Sequence, residues 1–226
     1  MTLALFDLDN TLLDGDSDYA WGQFLATVGA VDAARYEQAN LAFYKDYKAG
    51  GLDIRAFLAF SLEPLTRYPR EQLFAWRAEF VRDQIKPLIK PWVADLLERH
   101  KHRGDTLVLV TATNSFVTAP VAELLGIPHL IATVPEEQNG RFTGRVTGTP
   151  CFREGKVARV QTWMAGRDLA WEDSCFYSDS HNDLPLLEAV NRPIAVDPDP
   201  TLLATAEQRG WEILLTDNET LTEHAE

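Results

Sequence analysis

Leu3-Ala4-Leu5-Phe6-Asp7-Leu8-Asp9-Asn10-Thr11-Leu12-Leu13 is an apolar strand pattern that breaks off in two aspartates separated by one residue. Side chains alternate along a strand, so Asp7 and Asp9 are expected to point to the same side where the strand ends. Two carboxylates held there repel each other unless something positive binds. Magnesium suits the pair, being a hard cation that takes one or two carboxylates and keeps positions open for water and substrate phosphate. The same residues can close a strand with Asx turns and a helix cap and nothing more. The other strand ends must decide between a phosphate-handling site and a structural turn.

The chain has 226 residues, a length that suits one domain with an insertion or two modest domains. Its 34 acidic and 21 basic side chains give a formal charge of -13, which argues against nucleic acid or anionic membrane surfaces as partners. A protein this acidic attracts an anionic phosphate only through local positive charge, from a metal ion, a lysine or backbone N–H groups. Cys151 and Cys175 stand apart, without zinc spacing or a disulfide framework, and are expected to be unreactive thiols of a reducing compartment. Neither a signal-peptide pattern nor a run of about 18 apolar residues is present, so a soluble, cytoplasmic protein is expected.

Three further apolar runs have the pattern of buried parallel strands: residues 106–111, 174–177 with their flanks, and 193–196. Helical patterns separate them. Residues 92–100 precede the second strand, and 117–125 follow it and stop at Gly126. Residues 155–165 bury Val157, Val160, Trp163 and Met164 on one face, and 183–190 form another helix. Strands alternating with helices predict a doubly wound, Rossmann-like parallel α/β sheet. Between residues 17 and 90 only helical segments are expected, punctuated by Gly50-Gly51, Pro64, Pro69 and Pro87. This gives a core of residues 1–16 and 91–226 and an all-helical cap of residues 17–90. Such a cap would lie over the carboxyl end of the first strand, where open α/β sheets bind ligands. Trp21, Phe24, Phe43, Phe57, Phe60 and Trp76 have helical spacing and are expected to pack rather than form a binding cage. Residues 141–148, after Asn139-Gly140, suggest a small hairpin, and the acidic segment 217–226 a frayed end.

Val108-Leu109-Val110-Thr111-Ala112-Thr113-Asn114 ends a strand in a hydroxyl residue. Thr111, with the backbone N–H of Ala112 after it, would suit phosphate oxygens. Lys156 falls at a predicted helix start, where a cation opposes the helix dipole and asks for an anion. In Tyr177-Ser178-Asp179-Ser180-His181-Asn182-Asp183-Leu184 an apolar strand again runs into an acidic loop and then a helix. Asp179 and Asp183 could complete a metal site with Asp7, or Asn182 and Asp183 could be helix caps. His181 is left out of the chemistry because magnesium prefers oxygen ligands.

Four strand ends thus supply, in order, Asp-x-Asp, Thr, Lys and Asp-x-x-x-Asp. This ordered set, with Gly140-Arg141-Phe142-Thr143-Gly144, resembles the haloacid dehalogenase superfamily of aspartate-nucleophile phosphatases, in the branch that looks like phosphoserine phosphatase. The resemblance spans essentially the whole chain. It implies that Asp7 is the nucleophile and Asp9 the general acid and base, and that Thr111, Ala112 and Lys156 bind the phosphoryl group. Asp7, the Asp9 backbone carbonyl and Asp179 would hold Mg2+, supported by Asn182 and Asp183. Ser178 stands where the family usually has glycine.

By the same resemblance Asp16 occupies the position of a glutamate that binds the substrate amine. Ser61 aligns with the arginine that pairs with the carboxylate of phosphoserine. Losing that arginine would leave a substrate carboxylate unpaired. An amino-alcohol phosphate is therefore favoured, with histidinol phosphate the leading candidate and phosphoserine or another small phosphomonoester the alternative if Arg55 or Arg67 restores the clamp. The expected partner is a small phosphate ester bound by a monomer or homodimer. A receiver-like phosphoaspartate switch is the alternative of another class. The helical insertion and Asp9, an acid/base group that a long-lived phosphoaspartate would lack, both oppose it.

Overall fold

The alternation in Leu3–Phe6 is realised as strand β1, which sends Leu3 and Leu5 into one hydrophobic layer and Ala4 and Phe6 into the other. The computed structural model describes residues 2–216, so the acidic segment 217–226 lies outside the described residues. The further strands are β2 (Thr106–Asn114), β3 (His129–Gln138), β4 (Arg141–Thr147), β5 (Ser174–Ser178), β6 (Arg192–Val196) and β7 (Glu212–Leu214). They form one sheet in the order β4-β3-β2-β1-β5-β6-β7, parallel throughout except for the β3–β4 pair. This is the expected doubly wound α/β sheet. β1 is flanked by β2 and β5 in parallel register, with Phe6 opposite Leu109 and Tyr177, so the three carboxyl ends open on the same edge.

Between β1 and β2 the chain forms α1 (Ser17–Thr27), α2 (Ala33–Lys48), α3 (Ile54–Ser61), α4 (Glu63–Arg67) and α5 (Arg70–Phe80), then a π-helical turn Val81–Ile85 and a 3-10 turn Lys86–Leu88. Asp16, Asp32 and Asp53 cap α1, α2 and α3 by accepting from first-turn amides. The segment leaves and rejoins the sheet at one place. The amide of Asp14 donates to the Leu88 carbonyl at 2.7 Å, that of Lys90 to Leu12 at 3.0 Å, and Leu13 bridges Ile89.

Helix α6 (Val93–His102) leads into β2, and α7 (Ser115–Leu125) ends at Gly126, whose φ of +65° makes it a left-handed stop. The helices α8 (Glu154–Met164), α9 (Leu184–Ala189) and α10 (Pro200–Arg209) cover the face that receives Leu3 and Leu5. Val160 and Met164 of α8 are buried there, with Val157 and Trp163 packed against the same layer. Burial pushes the thiols of Cys151 and Cys175 up to about 12, which makes both unreactive.

Two elements depart from the sequence reading. β3 pairs parallel with β2 in its first half and antiparallel with β4 in its second, so it shows neither a continuous apolar run nor clean alternation. β7 has three residues, too few for a pattern. The aromatic residues divide. Trp21 and Phe24 stack at 5.5 Å and pack on Phe80, whereas Phe43 and Phe57 meet at 5.5 Å and line a cavity above the sheet edge.

Candidate active site

Asp7 is the first residue beyond β1, anchored by its amide to the Tyr177 carbonyl at 2.9 Å. Its Oδ1 accepts from Lys156 Nζ at 2.7 Å and its Oδ2 from Thr11 Oγ1 at 3.3 Å. Burial pushes the Asp7 carboxyl up to about 7; Lys156 pulls against this, and Asp183 and Asp9 add to it. Lys156 comes from the first turn of α8, where the expected anion is supplied twice over, since Nζ also donates to Asp183 Oδ2 at 2.6 Å. Burial alone would lower the lysine, but the two carboxylates outweigh it and hold the group charged. Its approach depends on Gly155: a Cβ there would stand 2.1 Å from the Pro150 carbonyl oxygen.

Asp9 is held by different groups. Its Oδ1 accepts from the Ser17 amide at 2.6 Å, and its Oδ2 from Thr113 Oγ1 at 2.9 Å and, weakly, from Thr111 Oγ1 at 3.5 Å. Burial, with repulsion from Asp16, pushes Asp9 up to about 6 against those hydrogen bonds. The neighbouring carboxylate that raises Asp9 is thus Asp16. Thr111 is fully buried behind this arrangement, accepting from the Thr113 amide at 3.1 Å, while Ala112 and Thr113 line the cavity.

Asp179 follows β5. Its amide donates to Thr11 Oγ1 at 3.0 Å, and Thr11 Oγ1 lies 3.2 Å from Asp179 Oδ1. Thr11 thus draws the carboxylates of Asp7 and Asp179 to one hydroxyl. Burial and the charges of Asp7 and Asp183 push the Asp179 carboxyl well above its usual range. Among the described residues no group of three or more His, Cys, Asp or Glu side chains forms a metal site. Magnesium does not require one. Two buried oxygen donors in a locally negative setting, with the Asp9 carbonyl expected as a third, fit a hard cation that keeps its own waters.

Ser178, at the glycine position of the resemblance, donates to Asp183 Oδ2 at 2.7 Å, so Asp183 is fixed by the serine and Lys156 together. Asn182 has a different surrounding from the one expected of a metal or water support. Its Oδ1 accepts from Arg153 Nε at 3.1 Å and Nη2 at 2.8 Å, and its Nδ2 donates to the Tyr47 carbonyl at 3.1 Å. Arg153 also donates to the Gly50 carbonyl, so the pair clasps the end of α2 to the loop after β5. His181 is bonded to Asp199 at 2.7 Å and does not line the cavity.

The cavity is walled on the sheet side by Asp7, Asp9, Ala112, Thr113, Lys156 and Asp183 and on the helical side by Asp16, Asp18, Tyr19, Phe43, Tyr44, Tyr47 and Phe57. Asp16 lines the cavity, although its Oδ1 is occupied in capping α1. Ser61 is not part of this lining. It lies one turn beyond Phe57 on the stripe Ile54, Phe57, Ser61 of α3, buried where the helix packs. Arg55 and Arg67 are exposed, do not line the cavity, and Arg67 pairs with Glu63 at 2.5 Å. Thr11, Ser17, Thr113 and Asp18 are site residues that the sequence reading did not single out.

The model of the haloacid dehalogenase-like hydrolase family matches residues 4–188. The chain is 46% identical over 216 residues to a histidinol-phosphatase of Neisseria meningitidis, covering 94% of this chain and 97% of that protein. It is 32% identical over 215 residues to a phosphoserine phosphatase of Mycobacterium tuberculosis, covering 93% and 69% respectively. A Bordetella pertussis protein of unknown function superposes with a TM-score of 0.88 at 51% identity, covering 94% and 97%. A substrate-bound phosphoserine phosphatase superposes at 0.71 with 18% identity over 97% and 94%, a likeness of fold.

Proposed function

The chain belongs to the haloacid dehalogenase-like hydrolase family and is a phosphomonoesterase, and from that premise we propose that it hydrolyses a small amine-bearing phosphate ester, L-histidinol phosphate, through an aspartyl-phosphate on Asp7. In the first step an Asp7 carboxylate oxygen attacks phosphorus, the ester P–O bond breaks, and Asp9 gives its proton to the leaving alkoxide. In the second, Asp9 takes a proton from water, the water oxygen bonds to phosphorus, and the Asp7–phosphorus bond breaks to release phosphate. The contrast between the two aspartates supports this division. Asp7 is bonded to the charged Lys156, which opposes the burial that pushes its carboxyl up to about 7, while Asp9 is held by neutral donors and pushed up to about 6, close enough to neutral pH to give and take a proton.

Lys156 and the Ala112 amide would bind the phosphoryl oxygens, with Thr111 holding the β2 end in place behind them. Asp7, the Asp9 carbonyl and Asp179 would hold Mg2+, which when bound neutralises phosphoryl charge. Ser178 and Asp183 keep Lys156 aimed at Asp7. Residues 17–90 would act as the cap that keeps bulk solvent out while the substrate reacts, with Asn182 and Arg153 clasping it to the core.

The observation that carries the substrate is the charge of the cavity wall. Asp16 and Asp18 face it, while Lys156, the one cation in the lining among the described residues, is taken by Asp7 and Asp183. A substrate ammonium finds partners there; a substrate carboxylate finds repulsion. A lining without arginine among the described residues supports the absence of a carboxylate clamp, although Ser61 itself lies outside that lining. No described helix is long and apolar enough to cross a membrane, and we place the enzyme in the cytoplasm as a monomer or homodimer. Purified protein with Mg2+ is expected to release phosphate from histidinol phosphate at least about 100-fold faster, by kcat/KM, than from phosphoserine, the scale of one unpaired charged group. A preference for phosphoserine would overturn the substrate and leave the phosphatase chemistry standing.

A further inference from the structure

We propose that Asp18 is a specificity-determining residue that accepts a hydrogen bond from a second nitrogen group of the substrate, an N–H of a heteroaromatic ring, beside the ammonium held by Asp16. The proposal rests on the amine-phosphate reading above and extends it to a residue that family resemblance does not assign.

Asp18 lies in the first turn of α1 and lines the cavity, yet it is only 9% exposed and its Oδ1 is buried without a hydrogen-bond partner among the described residues. Such a carboxylate is costly to keep. A first-turn acid gains from the helix dipole, but an exposed one gains without losing its hydration, so the dipole does not account for the burial. The charges around it make matters worse. The groups acting on Asp18 are Asp16 and Asp9, both acidic, and with burial they push its carboxyl well above the usual range. A donor brought into the cavity would reach Asp18 through Oδ2, the oxygen that is not a buried orphan, and would offset the charge of the whole carboxylate.

Asp16 cannot serve both nitrogens of a two-nitrogen ligand. Its Oδ1 already accepts from the amides of Asp18 at 3.0 Å and Tyr19 at 2.8 Å, leaving one oxygen for an ammonium. The wall beside Asp18 is the right kind for a flat ring: Tyr19, Phe43, Tyr44 and Phe57 all line the same cavity, and aromatic faces stack on rings and attract cationic ones. Two carboxylates one helical half-turn apart, backed by aromatic side chains, thus match a phosphate ester that carries an amine and an imidazole-like ring.

The test compares kcat/KM for three phosphate esters in the wild type, Asp18→Asn, Asp18→Glu and Asp16→Asn. The esters are histidinol phosphate, phosphoethanolamine (amine, no ring) and 2-(imidazol-4-yl)ethyl phosphate (ring, no amine). Asp18→Asn is expected to lower the ratio of ring-bearing to ringless substrate by about 10- to 100-fold, the range for a hydrogen bond to a charged group, mainly through KM, with partial recovery in Asp18→Glu. Asp16→Asn is expected to act on the two amine esters instead. Removing an unpaired buried charge should also raise the ligand-free Tm of Asp18→Asn. A wild type that ignores both amine and ring would sink the substrate reading itself. If the wild type prefers ring-bearing esters but Asp18→Asn leaves that ratio intact, or lowers the Tm and all three activities together, Asp18 is a structural residue and the proposal is wrong.

Discussion

Replacing Asp9 with asparagine separates geometry from proton transfer. Both carboxylate oxygens have donors, the Ser17 amide at 2.6 Å and the Thr113 hydroxyl at 2.9 Å. An asparagine can keep its oxygen toward the Ser17 amide and turn its NH2 toward Thr113, whose hydroxyl then accepts. The side chain stays in place, and what is lost is the group that titrates near 6. General acid–base catalysis contributes about 100- to 10,000-fold, so kcat for an alkyl phosphate should fall by that factor while Tm holds or rises, because a buried repelling charge is gone.

With p-nitrophenyl phosphate the leaving group needs no proton, so Asp7 can still be phosphorylated, but attack by water on the phosphoenzyme lacks its base. Stopped-flow mixing of Asp9→Asn with this ester should show a burst of nitrophenolate close to one equivalent per enzyme, followed by slow turnover. Full turnover of the alkyl ester by the variant, or a slow linear trace with no burst, would refute the division of labour between Asp7 and Asp9.

Magnesium should raise the melting temperature, because Asp7 and Asp179 converge on Thr11 while Lys156, shared between Asp7 and Asp183, leaves the group of three carboxylates short of positive charge. At 100 times its dissociation constant a ligand adds about 2.7 kcal/mol, or about 5–10 °C for a chain of this size, and Asp179→Ala should abolish the shift in differential scanning fluorimetry. His100 is buried against Asp105 and Tyr177, and burial lowers its pKa below 6.5. The unfolded chain then takes up a proton that the folded one resists, so its contribution to stability is present above pH 6.5 and lost as the pH falls through the folded pKa. The Tm difference between wild type and His100→Gln should shrink on acidification; a difference that widens would contradict the assignment.

What could be read from the chain was whatever a strand end announces locally. Asp7, Asp9, Lys156, Asp179 and Asp183 each follow an apolar run or open a helix, and the sheet brings those ends together without further instruction. Thr11 was opaque because its role is a contact with Asp179, 168 residues away, and nothing in a threonine at a strand end announces such a partner. Ser17 and Thr113 were missed for the same reason: they reach Asp9 from α1 and from an irregular β2 end. Ser61 shows the converse failure. Aligning positions along a helix fixes the stripe but not the depth, and one turn decides whether a side chain meets a ligand or a packed interior. Nothing in the sequence distinguishes Asp18 from other acids near a helix start; what sets it apart is a buried oxygen without a partner among the described residues.

The helical segment leaves the sheet after Leu13 and returns at Ile89, with backbone bonds closing the gap between the two crossings. To the core, a mostly helical segment of about seventy-five residues is therefore a single loop with both ends held at one point, and the entropy of closing such a loop grows only slowly with its length. Lineages and designers can lengthen, trim or exchange that loop while Asp7, Asp9, Lys156 and Asp179 remain on parts of the chain outside it. The machinery that breaks the phosphate ester and the wall that selects the rest of the molecule can then change on separate evolutionary clocks.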